Sequence, residues 1–459
     1  MSLKVYNTLS GKKEEFQPLN DKEVKTFVCG PTVYDYAHIG HARTYVVFDM
    51  IVKYLRQKDY DVYYLQNITD IDDKIIERAN ERNTTPKKLA RKYEKAYLED
   101  MEKLNVNSID KYARATEHID QIISQVKCLK ERDYAYELED GIYYDLSRFE
   151  DYGKLSGRTT LDEEDAVSRI DEAKNKKNKR DFCLWKDSKE NEPSWDSPWG
   201  KGRPGWHIED TALTEKYLGS QYDLHGGARD LIFPHHEAEI AQMEALSGKK
   251  PMVKYWTHAG FLTVNGEKMS KSEGNFITIR DFLKDYSPRV LRLFVLKSHY
   301  RSPVDYNEEV LKQVKNQIEK VDEFLSRLKN YEPKSESTSL VKEAEEKYEK
   351  AMEDDFNTPE TLAAVFELIK KANTALDKDE LSQKNKKNIV HFLNKVDHVF
   401  DFIFVKEEEI PKGIKELAQK REKLRKQEEY EQADKIRKEI EEKGYQVKDT
   451  DQGIKVRKK

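Results

Sequence analysis

Two short clusters carry residue types that can do chemistry. In the first, His38-Ile39-Gly40-His41, two imidazoles stand three residues apart. One helical turn puts both on one side. Imidazoles beside a helix N-terminus can donate hydrogen bonds to a phosphate carrying extra negative charge. Gly40 has no side chain, which lets an adenine lie against the backbone. The second cluster is Lys268-Met269-Ser270-Lys271-Ser272. Its two ammonium groups, set among small residues, form a cationic loop suited to clamping the β- and γ-phosphates of a nucleotide and the departing pyrophosphate. Each cluster alone also fits a plainer reading: a solvated helix start with incidental histidines, or a solvated basic turn. Together, on opposite halves of a parallel sheet, they are hard to explain by chance. No GxxxxGK[ST] loop occurs, so a nucleotide must be held in another way.

The surrounding segments read as α/β. Residues 24–29 are strand-like, with Val24, Phe27 and Val28 stopped by Gly30-Pro31. An apolar helical pattern follows over 40–56, a second strand over 61–65, and a long helix from near Asp70, where Asp70, Asp72 and Asp73 suit a helix N-terminus. Strand, helix, strand, helix at this spacing is a βαβ unit of a parallel sheet. Residues 111–200 look like an insertion, with helices, an alternating piece at 141–145 and a polar stretch at 172–180. That stretch, with Lys174, Lys176, Lys177, Lys179 and Arg180, reads as a mobile loop or an RNA-backbone contact. The α/β signal resumes near Gly205, through 230–233 and a helix opening at Pro234. Residues 261–264 lead into the tight-turn pair Asn265-Gly266. From about Pro288 the chain is helical. Leu311, Val314, Ile318, Val321, Leu325 and Leu328 mark one face of a long amphipathic helix. Residues 333–339 form a polar linker, Thr358-Pro359 an N-cap and first helical position, and a charged helical hairpin with a short tail begins at Ile414.

The 459 residues suffice for about three domains without covalent staples. Cys29, Cys128 and Cys183, an odd and sparse set, do not form a disulfide framework. Cys128 sits among Ile122, Ile123 and Val126 as a small core residue, and Cys183 also reads as buried. No N-terminal apolar stretch marks a secretory signal. The longest apolar-rich run, 45–52, is broken by Asp49 and far too short to span a bilayer. A soluble intracellular protein with no membrane partner is expected. The formal net charge of −5 does not decide about nucleic acid, because a local basic face can act inside an acidic whole. Such a face exists: residues 412–459 hold 16 Lys and Arg against 11 Asp and Glu.

The paired clusters resemble the two signatures of class I aminoacyl-tRNA synthetases, and their surroundings narrow the resemblance to cysteinyl-tRNA synthetases. The stretches that carry it are Phe27-Val28-Cys29-Gly30-Pro31-Thr32-Val33-Tyr34-Asp35, Asn67-Ile68-Thr69-Asp70-Ile71-Asp72-Asp73-Lys74, Gly205-Trp206-His207-Ile208-Glu209 and Phe233-Pro234-His235-His236-Glu237. It runs from Tyr6 to the C-terminus. The resemblance implies a cysteine–tRNA ligase that uses ATP with Mg2+, L-cysteine and tRNA(Cys), in the cytoplasm and as a monomer. It implies an α/β fold: a Rossmann-type catalytic domain in two halves (1–110 and 200–265), a connective insertion (111–199), a lysine-loop and stem-contact helical region (266–335), an all-α anticodon-binding bundle (340–405) and a small anticodon-recognition module (406–459). His38, His41, Lys268 and Lys271 would be catalytic. Gly40, His38, His41 and Lys271 would hold ATP, with Lys271 the more direct contact of the two lysines. Cys29, Thr69 and Trp206 would meet the amino acid, Trp206 as a wall of its pocket.

The family also implies one Zn2+ that grips the substrate thiolate, held by two Cys, one His and one Glu. Cys29, His235 and Glu239 match, and the last two, four apart, share a helical face. Cysteine and serine differ too little in shape for a pocket to separate them well, whereas borderline-soft zinc prefers thiolate. The family's second cysteine is Asp210 here. Three outcomes stay open: Asp210 as a harder fourth ligand, a three-ligand site completed by water or substrate, or no stable metal. His207 and His236 are structural or support the site. Rival readings are a ligase that loads cysteine onto a small amine, a silent RNA-binding paralogue, and a generic adenylyl-transferring enzyme. The C-terminal module argues against the first, the intact His38, His41, Lys268 and Lys271 against the second, and Cys29, His235 and Glu239 against the third.

Overall fold

The structure, a computed structural model, describes residues 2–158, 175–333, 340–405, 411–427, 429–450 and 453–458. It divides into two compact units, 1–403 and 404–459.

The first unit is built on a five-stranded parallel sheet. Its strands are β1 (Glu23–Val28), β2 (Asp61–Ile68), β3 (Lys111–Arg114), β4 (Tyr222–Ala228) and β5 (Val253–Ala259), ordered β5-β4-β1-β2-β3. The order reverses between β1 and β4. Open α/β sheets hold ligands at that point, in the crevice beyond the carboxyl ends of the strands. The helix Ile39–Gln57 follows β1 and packs on the sheet through Ile39, Val46, Val47, Phe48 and Ile51, all fully buried.

The single long helix expected from Asp70 is two helices. Asp72 caps Asp73–Glu81, then Thr85 caps Pro86–Lys103 with Pro86 in its first turn. Proline has no N–H to continue a helix but fits a first turn, so the chain breaks before it. Residues 230–233, read as part of the α/β run, form tight helical turns after β4; a wide turn over Ile232–His236 precedes the regular helix Glu237–Ser247. That helix therefore opens three residues after Pro234.

The inserted segment forms an antiparallel sheet of Ala135–Leu138, Gly141–Tyr144, Phe182–Asp187, Gly200–Pro204 and Trp195–Ser197. Its Ile142, Tyr144, Leu184 and Trp185 share one core with Phe27, Leu65 and Trp256 of the parallel sheet. Strand β3 and strand Gly200–Pro204 each cross the sequence boundaries at 110 and 200. Lys174 lies outside the described residues; next to it, Lys177 pairs with Asp145 at 3.1 Å and the Asn178 backbone N–H donates to Asp181.

Asn265 and Gly266, both at positive φ, turn Leu262–Val264 into Glu267–Lys268 as expected. Helices Ile279–Asp285, Pro288–Leu296 and Glu308–Asn330 follow. After them come Lys342–Glu353, Thr358–Asp377, capped by Asn357 rather than Thr358, and Gln383–Phe400. A buried charge network joins these parts. Asp49 accepts from Lys53 at 2.7 Å and from Arg292 at 2.9 Å, and Lys53 reaches Asp401 at 2.5 Å.

The second unit packs helices Lys412–Lys426 and Tyr430–Glu442 on a hairpin, Tyr445–Thr450 with Gly453–Lys458, around Ile414, Ala418, Ile436, Ile440 and Val447. The short tail expected from sequence is this hairpin. Across the described residues no helix is long and apolar enough to cross a membrane.

Candidate active site and metal centre

The carboxyl ends of β1, β2 and β4 open on a cavity of about 340 Å3. One wall carries Cys29, Thr69, Trp206, Asp210 and His235; the other carries His38, Gly40, His41 and Lys268. The two motif clusters, far apart in sequence, thus face one space. Lys271 lies outside the described residues.

The histidine wall is set by the start of helix Ile39–Gln57. His38 caps it: its Nδ1 accepts from the N–H of Gly40 at 3.1 Å and of His41 at 3.3 Å, while His41 Nδ1 accepts from the N–H of His38 at 3.2 Å. The rings stack with centroids 3.8 Å apart. A neutral imidazole whose Nδ1 accepts must carry its proton on Nε2, so each ring keeps an Nε2–H donor. Burial lowers the pKa of His41 to about 4, which holds it neutral. The lysine segment is close by. A Cβ built on Gly40 would stand 2.8 Å from the His38 ring and 3.5 Å from Met269 Cε, so the residue cannot enlarge without moving both. The segment after the lysines is tied to the histidine loop: the N–H of Ile39 donates to Ile277 O at 3.1 Å, and that of Ile279 to Ala37 O at 2.9 Å. Asn275 braces the turn by accepting from Ser270 N–H at 2.8 Å and donating to Lys268 O at 3.2 Å.

The other wall gathers Cys29 just past the end of β1, Asp210 from the first turn of helix Ile208–Tyr217, His235 from the wide turn after β4, and Glu239 one helical turn on. Their ligating atoms lie within 4.8 Å of one another and all four are buried. His235 Nε2 is 2.9 Å from Asp210 Oδ2 and 3.0 Å from Glu239 Oε1; Cys29 Sγ is 3.6 Å from Asp210 Oδ2. His207 Nδ1 meets His235 Nδ1 at 2.8 Å and fixes that ring from behind, while Trp206 stacks on its face at 4.4 Å. Gly30 lets β2 come close: a Cβ there would fall 1.8 Å from Asn67 O.

These residues fit a divalent cation. Asp210 Oδ1 and Glu239 Oε2 are buried and have no hydrogen-bond partner, a costly state for carboxylate oxygens that a metal relieves. Burial, with Glu239 and Asp210 adding to it, pushes the Cys29 thiol well above its usual pKa. Glu239 is raised to about 7, by burial first, against the pull of His235. For His235, burial disfavours the charged form, yet Glu239 and Asp210 outweigh it and raise the pKa to about 9. The cluster thus draws in positive charge.

Sequence reasoning missed His225. With Cys29, His236 and Glu239 it forms a second group of possible metal ligands behind the first, sharing Cys29 and Glu239. Cys29 Sγ is 3.5 Å from His225 Nε2 and 3.2 Å from His236 Nε2. Tyr222 holds His225 Nδ1 at 2.7 Å, and His258 holds His236 Nδ1 at 2.9 Å. The available signal was a lone His inside an apolar strand, three residues after Tyr222. Cys29, Asp210 and His235 of the first group line the cavity, whereas neither His225 nor His236 does.

The family described as tRNA synthetases class I (C) catalytic domain matches residues 15–316, and the DALR domain matches 347–404. A cysteine–tRNA ligase of Thermococcus gammatolerans is 48% identical over 99% of this chain and 98% of its own. One of Carboxydothermus hydrogenoformans is 45% identical over 98% and 99%. Among solved structures, the Mycobacterium tuberculosis methionyl-tRNA synthetase in complex with methionyl-adenylate superposes with a TM-score of 0.60 at 15% identity, over 83% of this chain and 92% of that one; at that identity it supports the fold. Relatives this similar over nearly their whole length, with both walls of the cavity inside the matched catalytic region, show that the chain belongs to the cysteine–tRNA ligase family of class I tRNA synthetases.

Proposed function

We propose that the chain activates L-cysteine with ATP and transfers the cysteinyl group to the 3′ end of tRNA(Cys). The observation that carries this reading is the single cavity: a thiol-, imidazole- and carboxylate-bearing wall faces a wall of Nε2–H donors and a lysine. The substrate carboxylate attacks the α-phosphorus of ATP, and the bond to the pyrophosphate oxygen breaks. His38 and His41 donate from Nε2 to the α-phosphoryl oxygens as charge grows there. Lys268 and Lys271, with the Mg2+ that accompanies ATP, neutralise the leaving pyrophosphate. Gly40 leaves room for the adenine. The acyl group then passes to the terminal ribose of the tRNA. Catalysis here is placement and charge stabilisation.

Cys29, Asp210, His235 and Glu239 are the residues that would hold Zn2+, whose chemistry in this place is a preference for thiolate over hydroxyl. They are favoured over the His225–His236 group because they open on the cavity. Thr69 and Trp206 border the amino-acid side of it. The helices of 340–405 and the module of 406–459 would read the anticodon. The DALR match supports this, as does a depression in the second unit lined by Arg421, Arg425 and Arg437. A monomer in the cytoplasm completes the reading. Its test is the charging of tRNA(Cys) transcript with labelled cysteine. Formation of cysteinyl-tRNA that fails with a transcript of altered anticodon is expected; ATP turnover on cysteine with no tRNA product would move the reading to a small-amine ligase.

A further inference from the structure

Glu209 is a buried carboxylate, 2% exposed, in the first turn of helix Ile208–Tyr217. The hydroxyl of Thr69 donates to its Oε1 in a short hydrogen bond. No Lys or Arg pairs with it among the described residues, and the carboxylates of Asp72 and Asp210 stand near enough to disfavour its charge. A carboxylate in that position is costly unless something cationic comes to it. Thr69 itself lines the cavity beside Cys29, Trp206 and Asp210. Asn67 Nδ2 donates to Thr69 Oγ1 at 3.3 Å, and the Gly30 N–H donates to Asn67 Oδ1, so the hydroxyl is held from both sides.

A hydroxyl has one proton and two lone pairs. With the proton committed to Glu209 and one lone pair to Asn67, the remaining lone pair is an acceptor on the cavity wall. We propose that Glu209 is a positioning residue: acting through Thr69, it makes this corner of the cavity an acceptor for the α-ammonium group of the amino-acid substrate. The inference rests on the amino-acid-activating reading above and adds to it the recognition of one substrate group. Without Glu209 the Thr69 proton is free to turn into the cavity, where it opposes an ammonium. The buried negative charge also acts directly on that cation across a medium of low dielectric.

The probes are L-cysteine and 3-sulfanylpropanoate, which keeps the thiol and the carboxylate and lacks the ammonium. Calorimetric affinities of both are measured on the full zinc-loaded chain. Glu209→Gln keeps the shape and removes the charge. It should weaken cysteine about tenfold or more, the scale of a lost charge-assisted contact, and leave 3-sulfanylpropanoate within about twofold. Thr69→Val should show the same selective loss, and Thr69→Ser, which restores the hydroxyl, should return the preference. Parallel weakening of both ligands in Glu209→Gln, as a merely structural role would give, or no change in either, overturns the proposal. If the unaltered chain binds neither ligand, the amino-acid-activating reading itself fails and the proposal falls with it.

Discussion

His38 and His41 cap each other: each ring nitrogen Nδ1 accepts the other residue's backbone N–H, at 3.3 and 3.2 Å. The exchange commits both Nδ1 atoms as acceptors and so fixes both protons on Nε2. The local fold of a helix start thereby sets the tautomers that a phosphoryl-transfer site needs, with no further residue required to orient the rings.

His41→Ala removes one of these donors and one half of the cap. Cysteine-dependent ATP–pyrophosphate exchange should fall by about 10²- to 10³-fold in kcat, with the KM for cysteine little changed. Loss confined to KM would show that the ring binds the ground state and does nothing special later.

The same residue makes stability depend on pH. Its pKa is lowered by burial from 6.5 to about 4, so between those values the unfolded chain binds a proton that the folded chain does not. The contribution is fully present above pH 6.5 and is lost as pH falls toward 4. One edge of the ring meets the cavity, so water there reduces the effect to about 1–2 kcal/mol. Thermal unfolding of His41→Gln against the unaltered chain should converge as pH falls through this window; curves that stay parallel would place the titration elsewhere.

Gly40→Ala puts a Cβ 2.8 Å from the His38 ring and 3.5 Å from Met269 Cε. Alanine favours helix, so the fold should survive. Exchange activity should drop by about tenfold or more, through the displaced ring and lysine segment. Unchanged activity would mean that the two walls are not set by this contact.

Asp49 and Arg292 are both fully buried and meet at 2.9 Å, with Lys53 on the same carboxylate. Asp49→Ala leaves two cations without it and should destabilise the chain by about 3–5 kcal/mol in denaturant unfolding. A change under about 1 kcal/mol would show that Asp401 alone satisfies both cations.

Much of this architecture was legible from periodicity. The apolar spacing at Leu311, Val314, Ile318 and Val321 marks the buried face of Glu308–Asn330, and the strand ended by Gly30-Pro31 is β1 to within a residue. What escaped had weaker local signals. The break between Glu81 and Pro86 lay inside a stretch of helix-forming residues. The final hairpin alternates Val447, Ile454 and Val456 with charged residues, a pattern that a short strand shares with a solvated tail. His225 carries no motif, and only the approach of β4 to Cys29 brings it into the centre. The matched residues Cys29, Asp210, His235 and Glu239 do converge, because β1, two helices and a wide turn end at the same edge of the sheet.

Asp210 gives the metal centre one thiolate where the family pattern has two. Asp210→Cys should hold zinc about tenfold tighter or more in competition with a chromophoric chelator, and Asp210→Ala should hold it more weakly. Retention in Asp210→Ala equal to the unaltered chain would shift the ion to the group of Cys29, His225, His236 and Glu239.

Amino-acid-dependent ATP–pyrophosphate exchange, with cysteine against serine and before and after a zinc chelator, tests the account most directly. Exchange with cysteine, little with serine and loss on chelation that added zinc restores is the expected result. No exchange with cysteine from folded, zinc-loaded protein would contradict it.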